Sequence, residues 1–246
     1  MNSYRMRAGR IFLLSLLCLA STFFVVSCSL PWQHHTASKF AKPTTQQILS
    51  TVQKKFRTVT SFHVIMQVQN EGPALPNHIQ IRSANGDVVM PDKVKAAANI
   101  VLSGQAVAVS LISVGGNQYV TDPITGQYRV IKGVLDPRSL TNPDTGLISL
   151  AGKIEHTSDP SDDTVNGIPC WRVTGLLDAK YIAFFTGGGV PQGTMLQTSI
   201  CVGKADALPY QVKVIGQAAL GDTSSTIRSF DISNYNEHVT ITAPQI

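Results

Sequence analysis

The chain has 246 residues, of which 43% are hydrophobic and only 14% are charged, and its formal net charge is +5. Arg5, Arg7 and Arg10 are three of its 20 basic residues, so beyond them the basic side chains barely outnumber the 15 acidic ones. The sequence after Arg10 contains no run of basic residues, which argues against a nucleic-acid partner. The length is enough to bury one large core, and the low charge leaves apolar residues that could face a ligand.

A positively charged segment followed by an apolar run opens the sequence. The run Ile11–Val26 suits the core of a signal peptide and is shorter than the ~20 residues that a membrane-spanning helix needs. It leads into Ser27 and Cys28, an ending that resembles the bacterial lipobox. The resemblance implies a signal peptide over residues 1–27 and acyl chains such as palmitate on Cys28, anchoring the protein to the membrane. An uncleaved membrane anchor is the alternative, and both place the rest of the chain outside the cytoplasm.

The four cysteines fit an exported protein. Cys18 lies in the predicted signal peptide and Cys28 is the predicted lipidation site, which leaves Cys170 and Cys201. Outside the cytoplasm such a pair predicts a disulfide, and two buried free thiols are the alternative. The spacing does not match a zinc site, so no metal and no cofactor are predicted.

The polar and proline-containing composition of residues 28–43 predicts a flexible tether, and residues 44–246 are predicted to form a single domain. Thr44–Thr60 has the helical period, and Thr44 with Gln47 forms a capping-box pattern. The residues that share one face of this helix are Ile48, Val52, Phe56 and Val59. The helix either packs on a sheet or covers a cavity as a lid, and its sequence fits both.

From Ser61 onward the apolar period changes to two. Short alternating segments separated by tight turns predict an antiparallel meander. Within it, Asn85-Gly86 is typical of a two-residue hairpin turn, and Asp159–Asn166 reads as an exposed acidic turn. Short helices are predicted to begin at Asp136 and Pro143. The predicted fold class is therefore α+β: a strongly curved antiparallel sheet with a few helices against its concave face.

Motifs for catalysis are missing from the sequence. It contains no G-x-S-x-G, no H-E-x-x-H and no P-loop. The histidines at 63, 78, 156 and 238 are scattered, and no nucleophile and base stand at a recognisable spacing. The sequence therefore predicts a protein that is not an enzyme.

Two consecutive predicted strands carry apolar residues on both faces, whereas a sheet with one solvated face should alternate apolar and polar residues. Several of these residues are small, such as Ala96, Ala98 and Ala106, and small residues leave room between a sheet and the helices that cover it. A sheet curved around that room could hold acyl chains. A tightly packed two-layer core is the alternative.

Five segments, in this order after the lipobox, resemble motifs of the LppX/LprAFG family of bacterial envelope lipoproteins. They are Gly115–Pro123 (GGNQYVTDP), Leu135–Leu147 with its Asp136-Pro137 and Pro143-Asp144 steps, Val165–Gly175, Ala207–Val212 (ALPYQV) and Phe230–Asn236 with Pro244. The similarity runs from about residue 44 to the C-terminus. It implies a half-barrel sheet around helices, similar in fold to the carriers of the lipoprotein-localisation system, and a hydrophobic cavity for multi-acylated lipids.

The sequence thus predicts a membrane-anchored lipoprotein that binds acylated lipid for transfer or display in the cell envelope. Its expected partners are an acylated lipid or glycolipid, the membrane, and an envelope transporter. A structural or sensory lipoprotein with a filled core and a protein partner is the alternative. Thr44–Thr60 and Tyr181–Gly193 are candidate gates. Strand phase gives the cavity candidates Val52, Phe56, Val64, Met66, Ala98, Ile100, Leu102, Val107, Val109, Leu111, Leu147, Leu150, Ile182, Phe185, Val212 and Val214.

Overall fold

The computed structural model describes residues 42–246 apart from residues 77, 133–140, 143–145, 147–148 and 187–188, and it does not describe the side chains of Phe184 and Phe185. The predicted signal peptide, the lipidation site Cys28 and nearly all of the tether lie outside the described residues. The helix starts predicted at Asp136 and Pro143 lie outside them as well.

Helix α1, Thr45–Phe56, begins at the capping box that the sequence predicts. The Gln47 backbone N–H donates to the Thr44 hydroxyl over 3.2 Å, and the Thr44 N–H donates to the Gln47 side-chain oxygen over 2.8 Å. The helix ends four residues earlier than predicted, because Thr58, Val59 and Thr60 are β-branched and lose side-chain freedom in a helix. Its buried face carries Ile48, Leu49, Val52 and Phe56.

In the described residues, eleven strands form one antiparallel sheet, which confirms the predicted meander. The strands are β1 Ser61–Gln69, β2 Ile79–Val89, β3 Lys93–Leu102, β4 Gln105–Val114, β5 Asn117–Thr121, β6 Tyr128–Ile131, β7 Ser161–Val165, β8 Ile168–Asp178, β9 Met195–Gly203, β10 Pro209–Ile215 and β11 Ile227–Ser233. Their order is β6-β5-β4-β3-β2-β1-β11-β10-β9-β8-β7. The sheet is therefore two consecutive meanders joined where β1 pairs with β11. Because β6 and β7 are the edges of the described sheet, it is open and not a closed barrel.

Helical structure beyond α1 is short in the described residues. Ser149–Lys153 and Ala179–Ile182 are 3₁₀ segments, and Ala183–Thr186 is a single α-helical turn, labelled α2. No helix in the described part of the chain is long and apolar enough to cross a membrane.

The hairpin turn predicted at Asn85-Gly86 is wrong. Strand β2 continues through both residues to Val89, and the chain turns only at Met90–Asp92. A Cβ on Gly86 would lie 2.5 Å from the Lys95 carbonyl oxygen and 2.6 Å from the Ala96 Cβ. The glycine therefore serves a close approach of strand β3 and not a turn.

The acidic turn predicted over Asp159–Asn166 is also wrong in part, because β7 occupies most of it and only Asn166-Gly167 turns. The Asp163 carboxylate accepts a hydrogen bond from Arg172, and that bond holds the pKa of Asp163 below its ordinary value. Charged side chains of this kind on an edge strand oppose pairing with another chain.

The closed part of the core lies beneath α1, mainly against β1, β8, β9 and β11, and it also includes Val88 of β2 and Val94 of β3. Its buried members include Val52, Phe56, Phe62, Val173, Ile200, Val202 and Ile232. The predicted disulfide is present: Cys170 on β8 and Cys201 on β9 are bonded, with 5.6 Å between their Cα atoms, and both are fully buried.

Candidate functional site

A cavity of about 320 Å³ lies against the sheet, and its walls are side chains from all six strands β1–β6 together with Phe230 of β11. Seven strands can border one cavity only if the sheet bends around it, so this half of the sheet is concave. The volume is at the lower end of the range for ligand sites. Eight residues predicted from strand phase lie along this cavity: Val64, Met66, Ala98, Ile100, Leu102, Val107, Val109 and Leu111.

The walls of the cavity are almost entirely apolar. Thr121 is the one polar side chain among the described residues that line it. The remaining lining residues are Phe62, Ile79, Ile81, Ala84, Gly86, Val88, Val94, Ala96, Val120, Pro123, Ile131 and Phe230. A lining whose one polar group is a threonine hydroxyl, and which has no ionisable side chain among the described residues, offers a place to bury hydrocarbon.

Strand β3 shows how the sequence builds this wall. Ala96 and Ala98 face the cavity, while Lys95, Ala97 and Asn99 alternate with them on the opposite, exposed face. One face of this part of β3 therefore lines the cavity, and the other face is exposed. Alanine exposes little apolar area, so solvent contact costs little there.

A second cavity of about 50 Å³ lies on the side of β8–β11. Four further predicted residues line it: Leu150, Ile182, Val212 and Val214. Phe62, Val64 and Phe230 line both cavities, so these three side chains form the partition between them. The larger and smaller cavities are thus neighbouring compartments separated by two aromatic rings and one valine.

The other predicted site residues lie elsewhere. Val52 and Phe56 are buried in the closed core beneath α1, with exposed fractions of 0% and 4%. Leu147 lies outside the described residues, and the side chain of Phe185 is not described either. Because α1 packs on a filled core, it lies over the closed part of the interior and not along the large cavity.

The cavity opens at the end of the sheet where β2 begins and β3 ends. Ile79 and Leu102 pair across these strands, and both line the cavity while being 58% and 40% exposed. A side chain that lines a cavity and also meets solvent marks an opening. Pro123, in the loop between β5 and β6, is exposed at the same end and also lines the cavity.

Charged groups hold the segment that carries Ile182 to the small cavity. The Asp178 carboxylate caps the 3₁₀ segment Ala179–Ile182 by accepting the Lys180 N–H over 2.9 Å. That hydrogen bond, together with the Lys180 ammonium at 3.0 Å, lowers the pKa of Asp178. Across the described residues, no group of three or more His, Cys, Asp or Glu side chains is placed to hold a metal ion.

Sequence reasoning missed two classes of lining residue. Ile79 and Ile81 have the alternation of the other wall residues, and this signal could have been used. Phe230 could not be assigned from β11 alone, because its position depends on the pairing of β11 with β1, where it faces Met66. That pairing joins segments far apart in sequence and leaves no local signal.

Comparison with known proteins identifies the chain's relatives. The family model described as LppX_LprAFG lipoprotein matches residues 44–241. The lipoarabinomannan carrier protein LprG of Mycolicibacterium smegmatis is 24% identical, over 80% of this chain and 81% of that protein. LprG of Mycobacterium bovis is 21% identical over the full length of both.

Two crystal structures show the same fold. LprF from Mycobacterium bovis superposes with a TM-score of 0.63 at 21% identity, covering 81% of this chain and 96% of that one. LppX from Mycobacterium tuberculosis superposes with a TM-score of 0.57 at 16% identity, covering 80% and 98%. Since the family model spans most of the sequence and the fold agrees with these structures, the chain belongs to the LppX_LprAFG lipoprotein family.

Proposed function

We propose that this protein is a membrane-anchored lipoprotein that binds acylated lipid in the large cavity, for transfer or display in the cell envelope. The observation that carries the proposal is the cavity itself, which is walled by apolar side chains and open at one end. The relatives named as lipoarabinomannan carriers support a lipid or glycolipid as the ligand class.

The chemistry of the walls explains which part of a lipid would enter. Burying apolar surface is worth about 25 cal/mol per Å², from which the cost of ordering the ligand is subtracted. An uncompensated charge or hydroxyl inside the cavity would lose its hydration. The acyl chains therefore enter the cavity, while a polar headgroup stays at the opening beside Ile79 and Leu102.

The remaining parts of the proposal concern delivery. Cleavage before Cys28 and acylation of its sulfur would hold the domain at the outer side of the cell membrane. An envelope transporter would load or receive the lipid. No enzymatic step is required, since binding and release alone account for transfer or display.

Mass spectrometry of co-purified lipid tests the proposal. The protein is purified under mild conditions, extracted with organic solvent, and compared with the substitutions Ala98→Trp and Val109→Trp. These two residues face each other across β3 and β4 on the cavity wall, so either indole would occupy the space of an acyl chain. We expect lipid in the wild-type extract and a severalfold loss in both variants.

Ala97→Trp is the matched control, because Ala97 is the neighbour of Ala98 on the same strand and its side chain is on the exposed face. It should retain the wild-type amount of lipid. Equal lipid content in all of these proteins, or none in the wild type, would contradict the proposal. The second outcome would favour a structural or sensory lipoprotein, which the closed core beneath α1 would also support.

A further inference from the structure

Large aliphatic side chains are concentrated at the open end of the sheet. Eight large hydrophobic residues are exposed among those the structure describes, and five lie at the end where β2 begins and β3 ends. These five are Ile79, Leu102, Ile124, Met195 and Leu220. Single exposed hydrophobic residues are ordinary, but a group around one opening marks a contact surface.

Three of these residues surround the mouth of the large cavity. Ile79 and Leu102 are cross-strand partners that line the cavity as well as its edge. Ile124 follows the lining residue Pro123 and is 93% exposed. Ile79, Leu102 and Ile124 are called the mouth rim here, and they continue the apolar wall of the cavity to the outer surface.

The turn that carries Ile124 is held rigidly. One oxygen of the buried Asp122 carboxylate accepts the backbone N–H groups of Ile124 and Thr125, at 2.9 and 2.8 Å. The Gly126 N–H donates to the Asp122 carbonyl over 2.8 Å, and the Arg129 side chain pairs with the Asp122 carboxylate. Turn tips are normally Gly, Pro, Asn, Asp or Ser. A fixed turn with a nearly fully exposed isoleucine at its tip is suited to entering an apolar phase.

Charge and residue type indicate which phase that is. Beside the mouth, Arg82 is paired with Glu71 at 2.7 Å, and Arg129 is paired with Asp122. Each pair carries no net charge and therefore gives little attraction for an anionic partner. Protein interfaces depend on Trp, Tyr and Arg anchors, whereas the rim has only aliphatic side chains. A lipid surface fits this combination better than a protein does.

We propose that the mouth rim inserts into the surface of a lipid bilayer, placing the cavity mouth at the level of the acyl chains. A chain could then move between bilayer and cavity without crossing water. Transfer of an acyl chain through the mouth rests on the proposed lipid-binding function. Insertion of the mouth rim into a bilayer is a separate property and can be measured alone. Exposed apolar side chains that enter the boundary between headgroups and acyl chains hold proteins at membrane interfaces.

Flotation with lipid vesicles tests the proposal on the domain Lys42–Ile246, which forms one compact unit and contains the whole region matched by the family model. Binding to phosphatidylcholine vesicles is compared with binding to vesicles that also contain phosphatidylglycerol. Burial of one isoleucine corresponds to a factor of about ten or more in an equilibrium constant. We therefore expect Ile124→Ser to weaken binding at least about tenfold on both vesicle types, with little dependence on salt.

Ile168→Ser is the matched control, because Ile168 is an exposed isoleucine at the opposite end of the sheet. It should float as the wild type does. Wild-type protein that does not float, or an equal loss in Ile168→Ser, overturns the proposal. Binding that requires phosphatidylglycerol and disappears in salt also overturns it, since the contact would then be electrostatic.

Displacement of a fluorescent fatty acid from the cavity, measured without vesicles, separates the two proposals. Ile124 does not line the cavity, so Ile124→Ser should bind the fatty acid with wild-type affinity. Normal flotation with no fatty-acid binding would refute the proposed function and leave the membrane contact intact. Normal fatty-acid binding without flotation would refute the membrane contact alone. A rim variant that floats normally but loses capture by a second envelope protein would assign the rim to a protein partner and overturn the proposal.

Discussion

Replacement of Phe230 by alanine would join the two cavities. The ring is 6% exposed, lines both compartments, and pairs across the sheet with Met66 and Val212. Replacing a phenylalanine in a protein core by alanine lowers the free energy of unfolding by about 3–5 kcal/mol. Because this ring already borders open space on two sides, we expect the lower value, about 3 kcal/mol of unfolding free energy in the ligand-free protein.

The same substitution should change which ligand fits best. The merged space accepts a longer hydrocarbon, and each additional buried methylene contributes about 0.8 kcal/mol. The affinity optimum across saturated fatty acids of increasing length should therefore move to longer chains. A ligand at a hundred times its dissociation constant stabilises the folded state by about 2.7 kcal/mol, which would offset most of the loss.

Fatty-acid displacement and urea unfolding, each with and without ligand, measure both effects. Phe56→Ala is the control, because Phe56 is an equally buried ring in the closed core, 5.4 Å from the Phe62 ring and outside the walls of both cavities. It should lose comparable stability while keeping the wild-type chain-length optimum. An unchanged optimum in Phe230→Ala, or the same shift in both variants, would refute the partition between the cavities.

Three further predictions concern the scaffold. Removing the disulfide by Cys170→Ala with Cys201→Ala should lower the unfolding free energy by about 3.7 kcal/mol from loop entropy over its separation of 31 residues, measured by urea unfolding. Gly86→Val should lower the unfolding free energy by at least about 2 kcal/mol, because its Cβ would lie 2.5 Å from a backbone oxygen of the neighbouring strand. As a control, Ala97→Val on the exposed face should change the unfolding free energy by no more than about 0.5 kcal/mol in the same assay. Burial raises the pKa of Tyr235, so the stability it contributes is complete below about pH 10 and falls as pH rises further, because the unfolded chain loses that proton first. Tyr235→Phe should flatten this fall above about pH 10 in urea unfolding, and an unchanged slope would contradict the assignment.

Local chemistry made much of this fold predictable from the sequence. The capping box at Thr44 set the start of α1, and period-two alternation separated by tight turns indicated the antiparallel strands. Asn85-Gly86 misled because the dipeptide has two uses, a turn and a close approach of strands. Only the position of Lys95 and Ala96 on the next strand distinguishes them, and that is tertiary information.

The cavity was harder to predict than its wall residues. Strand phase assigned Ala98, Val109 and their neighbours to one face of the sheet, but the same alternation builds a filled core. Val52 and Phe56 show the limit: they were cavity candidates on the apolar face of α1, and they lie in the closed core. Whether a face is filled depends on which element lies over it, and that is decided by the long-range pairing of β1 with β11.

Side-chain size adds to the difference between the filled half and the open half of the concave face. On β8 and β9 the inward residues include Leu177, Leu196 and Ile200, which pack against their neighbours with exposed fractions of 3% or less. On β2 and β3 the corresponding wall includes Gly86 and Ala96, which reach too little of the space that the curved sheet encloses. The packed core of the filled half and the disulfide stabilise the fold, whereas the hollow half lacks the packing contacts that a filled interior would provide. The open half can therefore stay hollow without unfolding, because the filled half continues to hold the sheet in its curved form.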